Sequence, residues 1–145
     1  MSQRKLFSAV VGITALAAVA AIAVSSATAA GAKATSVKIA LGTKSGEFAL
    51  IASARSAPAG AITFVVRNGG KLPHEFVVVK TKVPAAKLPM SGGKASEKGA
   101  VGEIEEFNPG LTKRLTLTLK PGHYVLICNV AGHYSAGQHT DFRVT

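Results

Sequence analysis

From residue 37 to the C-terminus, apolar residues come in short runs rich in Val, Ile, Thr and Phe, and Gly, Pro and Asn separate the runs. No apolar repeat of helical period extends over a useful length. The runs predict eight strands, at residues 37–41, 47–51, 61–67, 75–81, 101–107, 113–119, 124–129 and 140–144. Thr116-Leu117-Thr118-Leu119 alternates strictly, as a half-buried strand should. Turns are marked by Pro58-Ala59-Gly60, Asn68-Gly69-Gly70, Asn108-Pro109-Gly110 and Pro121-Gly122. Short strands between regular turn signals predict an all-β sandwich. Residues 82–100 break the pattern, with Pro84, Pro89, Gly92, Gly93, Gly99 and four lysines but no apolar period. That segment reads as a long solvated loop, more readily a tolerated insertion than a partner-docking surface.

The start of the chain follows another pattern. Arg4 and Lys5 precede an apolar, alanine-rich run over residues 6–24, and Ser25, Ser26 and Thr28 follow it. Ala27-Thr28-Ala29 and Ala30-Gly31-Ala32 both satisfy the small-x-small rule of a secretory cleavage site. Residues 1–29 therefore predict an export signal, cut after Ala29 or as late as residue 32, with one domain over residues 30–145. The run just reaches spanning length, so an uncleaved membrane anchor is the competing reading. Its alanine content and the interruptions at Gly12 and Thr14 favour cleavage. No cysteine stands in the cleavage region just after the run, which excludes a lipid-anchored start of the bacterial lipoprotein kind. The expected location is periplasmic or extracellular, or the membrane surface if the signal is retained.

Removing Arg4 and Lys5 with the signal leaves 15 basic residues against 7 acidic, a formal net charge of +8. Such a balance implies an anionic neighbour: a membrane surface, a wall polymer or an acidic partner protein. Nucleic acid is a weak candidate, because the lysines are scattered and no aromatics interleave with them. The exported chain is long enough for a single core and is expected to be a monomer.

One cysteine, Cys128, stands at the head of CNVAGHYSAGQH. In an exported protein a lone thiol is half of an intermolecular disulfide, an exposed free thiol, an inert buried residue or a metal ligand. The spacing separates these. Cys128 ends the run Tyr124-Val125-Leu126-Ile127, and His133 and Gln138 fall on the short loop returning to the last strand. Three potential donors on one tight loop form a metal-site arrangement, and His74, at the head of HEFVVVK, is the obvious donor from a neighbouring strand. Two imidazoles, a thiolate and a weak fourth donor make up the ligand set of a blue-copper electron-transfer centre.

With Asn68 and PHEFVVV near the middle and KPGHYVLICNVAGHYSAGQH before the terminal strand, the chain resembles the cupredoxins, specifically the small bacterial plastocyanin-like and azurin-like secreted proteins. The resemblance spans essentially all of the exported chain. It implies a Greek-key β-sandwich with one copper ion near one end, held by His74, Cys128 and His133, with Gln138 in the axial position. Two departures stand out: the axial residue is usually methionine, and the residue after the first histidine is often asparagine where this chain has Glu75. Gln138 puts the potential and geometry in question, and Glu75 leaves the hydrogen bonding around Cys128 open.

The other candidates are weaker. His139 follows Gln138, and neighbours on a strand point to opposite faces, so a supporting or surface role is expected. His123 reads as a solvated turn residue, Met90 as a loop residue and poor axial ligand, and Glu75 as the outward residue of its strand. Four histidines cannot supply a blue site plus a trinuclear cluster, and a binuclear centre needs a second cysteine. The expected function is thus a one-electron carrier and not an enzyme, acting with redox partner proteins that present acidic docking surfaces. A copper carrier or buffer is the runner-up, although such proteins favour clustered methionines and only Met1 and Met90 exist here.

Overall fold

The segment HEFVVVK does not alternate, and the reason is burial on both sides: Phe76, Val77, Val78 and Val79 are all fully inaccessible to solvent. A strand covered on two faces has no polar face to write into its sequence. The computed structural model describes residues 34–145, and the predicted export signal lies outside the described residues.

Among the described residues eleven strands form: β1 (Thr35–Thr43), β2 (Gly46–Ala52), β3 (Ser56–Ala57), β4 (Gly60–Asn68), β5 (His74–Lys80), β6 (Met90–Ser91), β7 (Lys94–Ala95), β8 (Ala100–Phe107), β9 (Thr112–Leu119), β10 (Gly122–Ile127) and β11 (His139–Val144). One sheet has the order β2-β1-β4-β9 and the other β3-β11-β10-β5-β8. The all-β Greek-key sandwich expected from the sequence is the fold observed, as the chain crosses between sheets at β2–β3, β3–β4, β4–β5, β8–β9 and β9–β10. The count of eight strands is corrected to eleven. The three additions, β3, β6 and β7, are two residues long, too short to carry a hydrophobic period.

Between the sheets lies a core that includes Ile39, Leu41, Ile62, Phe64, Phe76, Leu126 and Phe142. Phe64 packs against Phe76 and Phe142 with ring centroids 5.5 and 5.6 Å apart. A second apolar cluster sits on the outer face of the five-stranded sheet. There Val77, Val79, Val125 and Ile127 are covered by Ala85, Leu88, Ala95 and Tyr134.

The second cluster overturns the reading of residues 82–100 as solvated. The segment folds into a 3-10 turn (Ala85–Lys87) and the β6–β7 hairpin, and it shields the sheet. Few of its residues are apolar, so no period shows, yet the fit is fixed by hydrogen bonds. The Tyr134 hydroxyl donates to Ala85 O at 2.6 Å and accepts from Leu88 N at 2.9 Å. Asn129 pairs with both backbone groups of Ala95, at 2.8 and 3.0 Å. His123 also departs from expectation. Its Nδ1 lies 2.7 Å from Thr81 O and its Nε2 2.8 Å from Asp141 Oδ1, the oxygen that also accepts from Ala85 N. As the second residue of β10, His123 fastens the start of the covering segment to β11.

Tyr134→Phe keeps the ring in the apolar cluster but strands the Leu88 N–H and the Ala85 carbonyl. The expected result is a loss of about 1–3 kcal/mol of unfolding free energy, measured by denaturant titration with an unchanged m-value.

Candidate metal centre

His74 is the first residue of β5, Cys128 follows the last residue of β10, and His133 lies on the loop between β10 and β11. These elements bring the three side chains together at one end of the sandwich. Cys128 Sγ stands 3.4 Å from His133 Nδ1 and 3.7 Å from His74 Nδ1, and the two Nδ1 atoms are 3.1 Å apart. His74 and Cys128 are fully buried, and His133 is 7% exposed. Among the described residues this trio forms a group able to hold a metal ion.

The loop is tied at its neck, where Cys128 N donates to Gln138 O at 3.0 Å and Gln138 N to His133 O at 3.1 Å. Glu75 meets the thiol through its backbone and not its carboxylate, with its N–H directed at Cys128 Sγ over 3.3 Å. Burial pushes the Cys128 thiol up from its ordinary value. Burial, and then the neighbouring His133, pushes His74 down from its ordinary value. Two imidazoles and a thiol buried together, with a thiol that gives up its proton most readily to a bound cation, make a metal-ligand environment.

Gln138 is fully buried beside them. Its Nε2 donates to Ala49 O at 3.1 Å and to Glu47 O at 3.4 Å. These two carbonyls fix which way the amide faces, since a flipped amide would set oxygen against oxygen. Its Oε1 is left buried without a hydrogen-bond partner. Such an atom is expensive to bury unpaired, and a cation on the neighbouring donors would satisfy it. The set of one thiolate, two imidazoles and an amide oxygen fits copper better than magnesium or calcium, which take oxygen ligands.

The remaining sequence candidates lie apart from the trio. His139 packs its ring on Tyr134, 4.8 Å between centroids. Met90 is 46% exposed on the β6–β7 hairpin.

Glu47 was not legible as a functional residue. Its carboxylate accepts from Lys71 N and Leu72 N at 2.8 and 2.9 Å, and Oε1 lies 3.2 Å from His74 Nε2. An ionised carboxylate only accepts, so Nε2 carries the ring proton and Nδ1 turns its lone pair toward Cys128. The N–H groups of Leu72 and Lys71 hold Glu47 below the usual carboxylate range. Gly70 makes room for this bond: a Cβ there would stand 2.9 Å from His74 Nε2 and would overlap Glu47 Oε1. Asn68 shapes the same turn, donating to Leu72 O and Phe107 O and accepting from Gly70 N.

No protein-family model matches the chain, and no curated protein matches it. Solved structures do. Dithionite-reduced auracyanin from the photosynthetic bacterium Roseiflexus castenholzii is 22% identical, with 79% of this chain and 99% of that chain covered and a TM-score of 0.57. Auracyanin B is 21% identical over 77% of this chain and 89% of its own, with a TM-score of 0.57. Rusticyanin from Thiobacillus ferrooxidans is 18% identical over 79% of each chain, with a TM-score of 0.60.

The fold is that of the cupredoxins. Within it, the positions that carried the sequence resemblance, His74, Cys128 and His133, are the ones that converge, and Gln138 adjoins them.

Glu47→Gln retains an acceptor for the His74 proton but removes the charge, whereas Glu47→Ala removes both. Copper affinity in a competition titration is expected to fall in the order wild type, Gln, Ala, with the alanine variant roughly 10–100-fold weaker.

Proposed function

We propose that the chain is a type 1 copper protein that carries single electrons, with His74, Cys128 and His133 as ligands and Gln138 as the axial donor. The observation that carries this reading is the buried His-Cys-His trio with the unpaired Gln138 oxygen at its side. Copper in this site would supply a one-electron couple, since thiolate suits Cu(I) and imidazole suits both oxidation states. The residues contribute rigidity: His74 is held by Glu47, Cys128 by the Glu75 N–H and its own backbone bond, and Gln138 by two carbonyls. His133 is the least buried of the trio, and the Phe48 ring stands edge-on to it with centroids 5.1 Å apart. Electron exchange with a partner is assigned to that edge. Similar structures point the same way: rusticyanin is described as a copper protein, and the auracyanin was studied in its reduced form.

The apolar start of the chain and its cleavage signature support an extracytoplasmic location, and the positive balance of charge supports partners with acidic docking surfaces. No catalytic role is proposed. Metal delivery is the competing reading, but three buried donors and one exposed methionine make a poor release site.

Anaerobic titration tests the reading. One equivalent of Cu(II) is expected to produce an intense visible thiolate-to-copper band, and Cys128→Ser to abolish it while leaving a folded sandwich. A colourless one-to-one complex would favour carriage over electron transfer.

Gln138 allows a sharper expectation. An amide oxygen is a harder donor than a thioether and stabilises Cu(II) relative to Cu(I). Gln138→Met is expected to raise the reduction potential by something on the order of 100 mV, where about 59 mV is a tenfold change for a one-electron couple. Voltammetry of this variant beside His139→Ala checks the assignment, because a potential that moves with His139 alone would reject Gln138.

A further inference from the structure

The four strands β2, β1, β4 and β9 present an outer face with an unusual distribution of charge. Register fixes two neighbouring rows across it. In one, Val65 lies between Lys38 and Arg114; in the other, Ala40 lies between Ile51 and Arg67. Cationic and apolar residues therefore alternate over the face. Lys38, Arg67 and Arg114 are exposed, and among the described residues none of them is in an ion pair. Ile51 is 55% exposed beside a shallow depression of about 400 Å³ floored by Ala40 and Val65.

Acidic residues are segregated from this face. The only one on its strands is Glu47, whose carboxylate is engaged by His74 and two backbone N–H groups at the metal centre. Glu75, Glu103, Glu105, Glu106 and Asp141 lie on the five-stranded sheet and Glu97 on the segment covering it. The four-stranded face thus carries cations interleaved with apolar side chains and, among the described residues, no free carboxylate, whereas on the five-stranded sheet and its covering segment six carboxylates are balanced by Lys80, Lys82, Lys87, Lys94, Lys98 and Arg143.

From this geometry we infer that the outer face of the four-stranded sheet docks flat on an anionic phospholipid bilayer. Phosphates satisfy the three cations, and Ile51 enters between the headgroups. A bilayer suits this face better than an acidic protein, because the cations are spread over a broad sheet surface and are not gathered at one cleft. The inference goes beyond electron transfer and does not depend on copper. The His133 edge, at the end of the sandwich, stays free of the bilayer in this orientation.

Vesicle partitioning of the full chain tests the inference, using phosphatidylcholine with and without phosphatidylglycerol. Three variants are compared with wild type: K38Q/R67Q/R114Q, Ile51→Ser, and the control K82Q/K87Q/K98Q, which removes the same charge from the segment on the opposite sheet. The N-terminal apolar run is present in every arm and cancels. The expected result is preference for the anionic vesicles, about a tenfold or greater loss in K38Q/R67Q/R114Q, a severalfold loss in Ile51→Ser, and little change in the control. Equal losses in the two triple variants would reduce the effect to net charge and overturn the inference. Binding to polyglutamate but not to anionic vesicles would overturn it in favour of an acidic polymer. Circular dichroism confirms that these exposed substitutions leave the sandwich folded.

Discussion

One short stretch of β2 governs the metal centre from the opposite sheet. The Glu47 carboxylate holds His74 Nε2, while the carbonyls of Glu47 and Ala49 hold the Gln138 amide. Neither His74 nor Gln138 belongs to the sheet that contains β2, so the two layers of the sandwich meet through these bonds. The carboxylate also accepts from Lys71 and Leu72 in the turn leading into β5, which sets where that strand begins and therefore where His74 starts. Charge-assisted bonds of this kind are short and directional, and removal of the carboxylate would leave three donors without their acceptor. The Asn68-Gly69-Gly70 turn has to be small for the same reason, since a side chain at Gly70 would occupy the space of the bond.

The five-stranded sheet supplies the second constraint. Its central strands β5 and β10 carry His74 and lead into Cys128, and they are packed on both faces, by the inter-sheet core within and by the 82–100 segment outside. That segment also grips the loop bearing His133. Asn129 pairs with Ala95, Gly132 N donates to Gly93 O at 2.9 Å, and Tyr134 is bonded to Ala85 and Leu88. The residues flanking His133 are thus held from outside the sandwich, and the ring is packed between buried His74 and the exposed Phe48. A donor fixed on both sides has little freedom to follow a change in the metal's charge.

Much of the architecture was legible because alternation and turn residues report local geometry. Thr116-Leu117-Thr118-Leu119 lies in β9 as expected, and Cys128, His133 and Gln138 occupy one loop because their spacing left no room for another element. His74 was legible from its place at the head of an apolar run. What escaped depends on contacts between distant parts of the chain. Glu47 sits 27 positions from His74, and nothing in GEFALIA distinguishes a carboxylate that holds a ligand from one that faces water. His123 looked like a turn residue because its partners, Thr81 just after β5 and Asp141 on β11, lie 42 and 18 positions away. Residues 82–100 looked solvated because three apolar side chains, Ala85, Leu88 and Ala95, suffice to cover a sheet face already rich in valine. The missing alternation in HEFVVVK and YVLI was the one available sign that something covers that face.

The same geometry bears on whether such a site would keep its metal or pass it on. Release requires donors that can leave one at a time for a partner's donors or for water. Here the thiol and both imidazoles are buried, and the nitrogen assigned to the metal on each imidazole faces inward. His74 cannot turn away without breaking the Glu47 bond, and Gln138 cannot without stranding two carbonyls. Only His133 lies near the surface, and its backbone is tied through Val130 and Gln138. An electron needs none of these bonds to open. A centre whose donors are each held by a second set of contacts is therefore better matched to the passage of charge than to the passage of the ion itself.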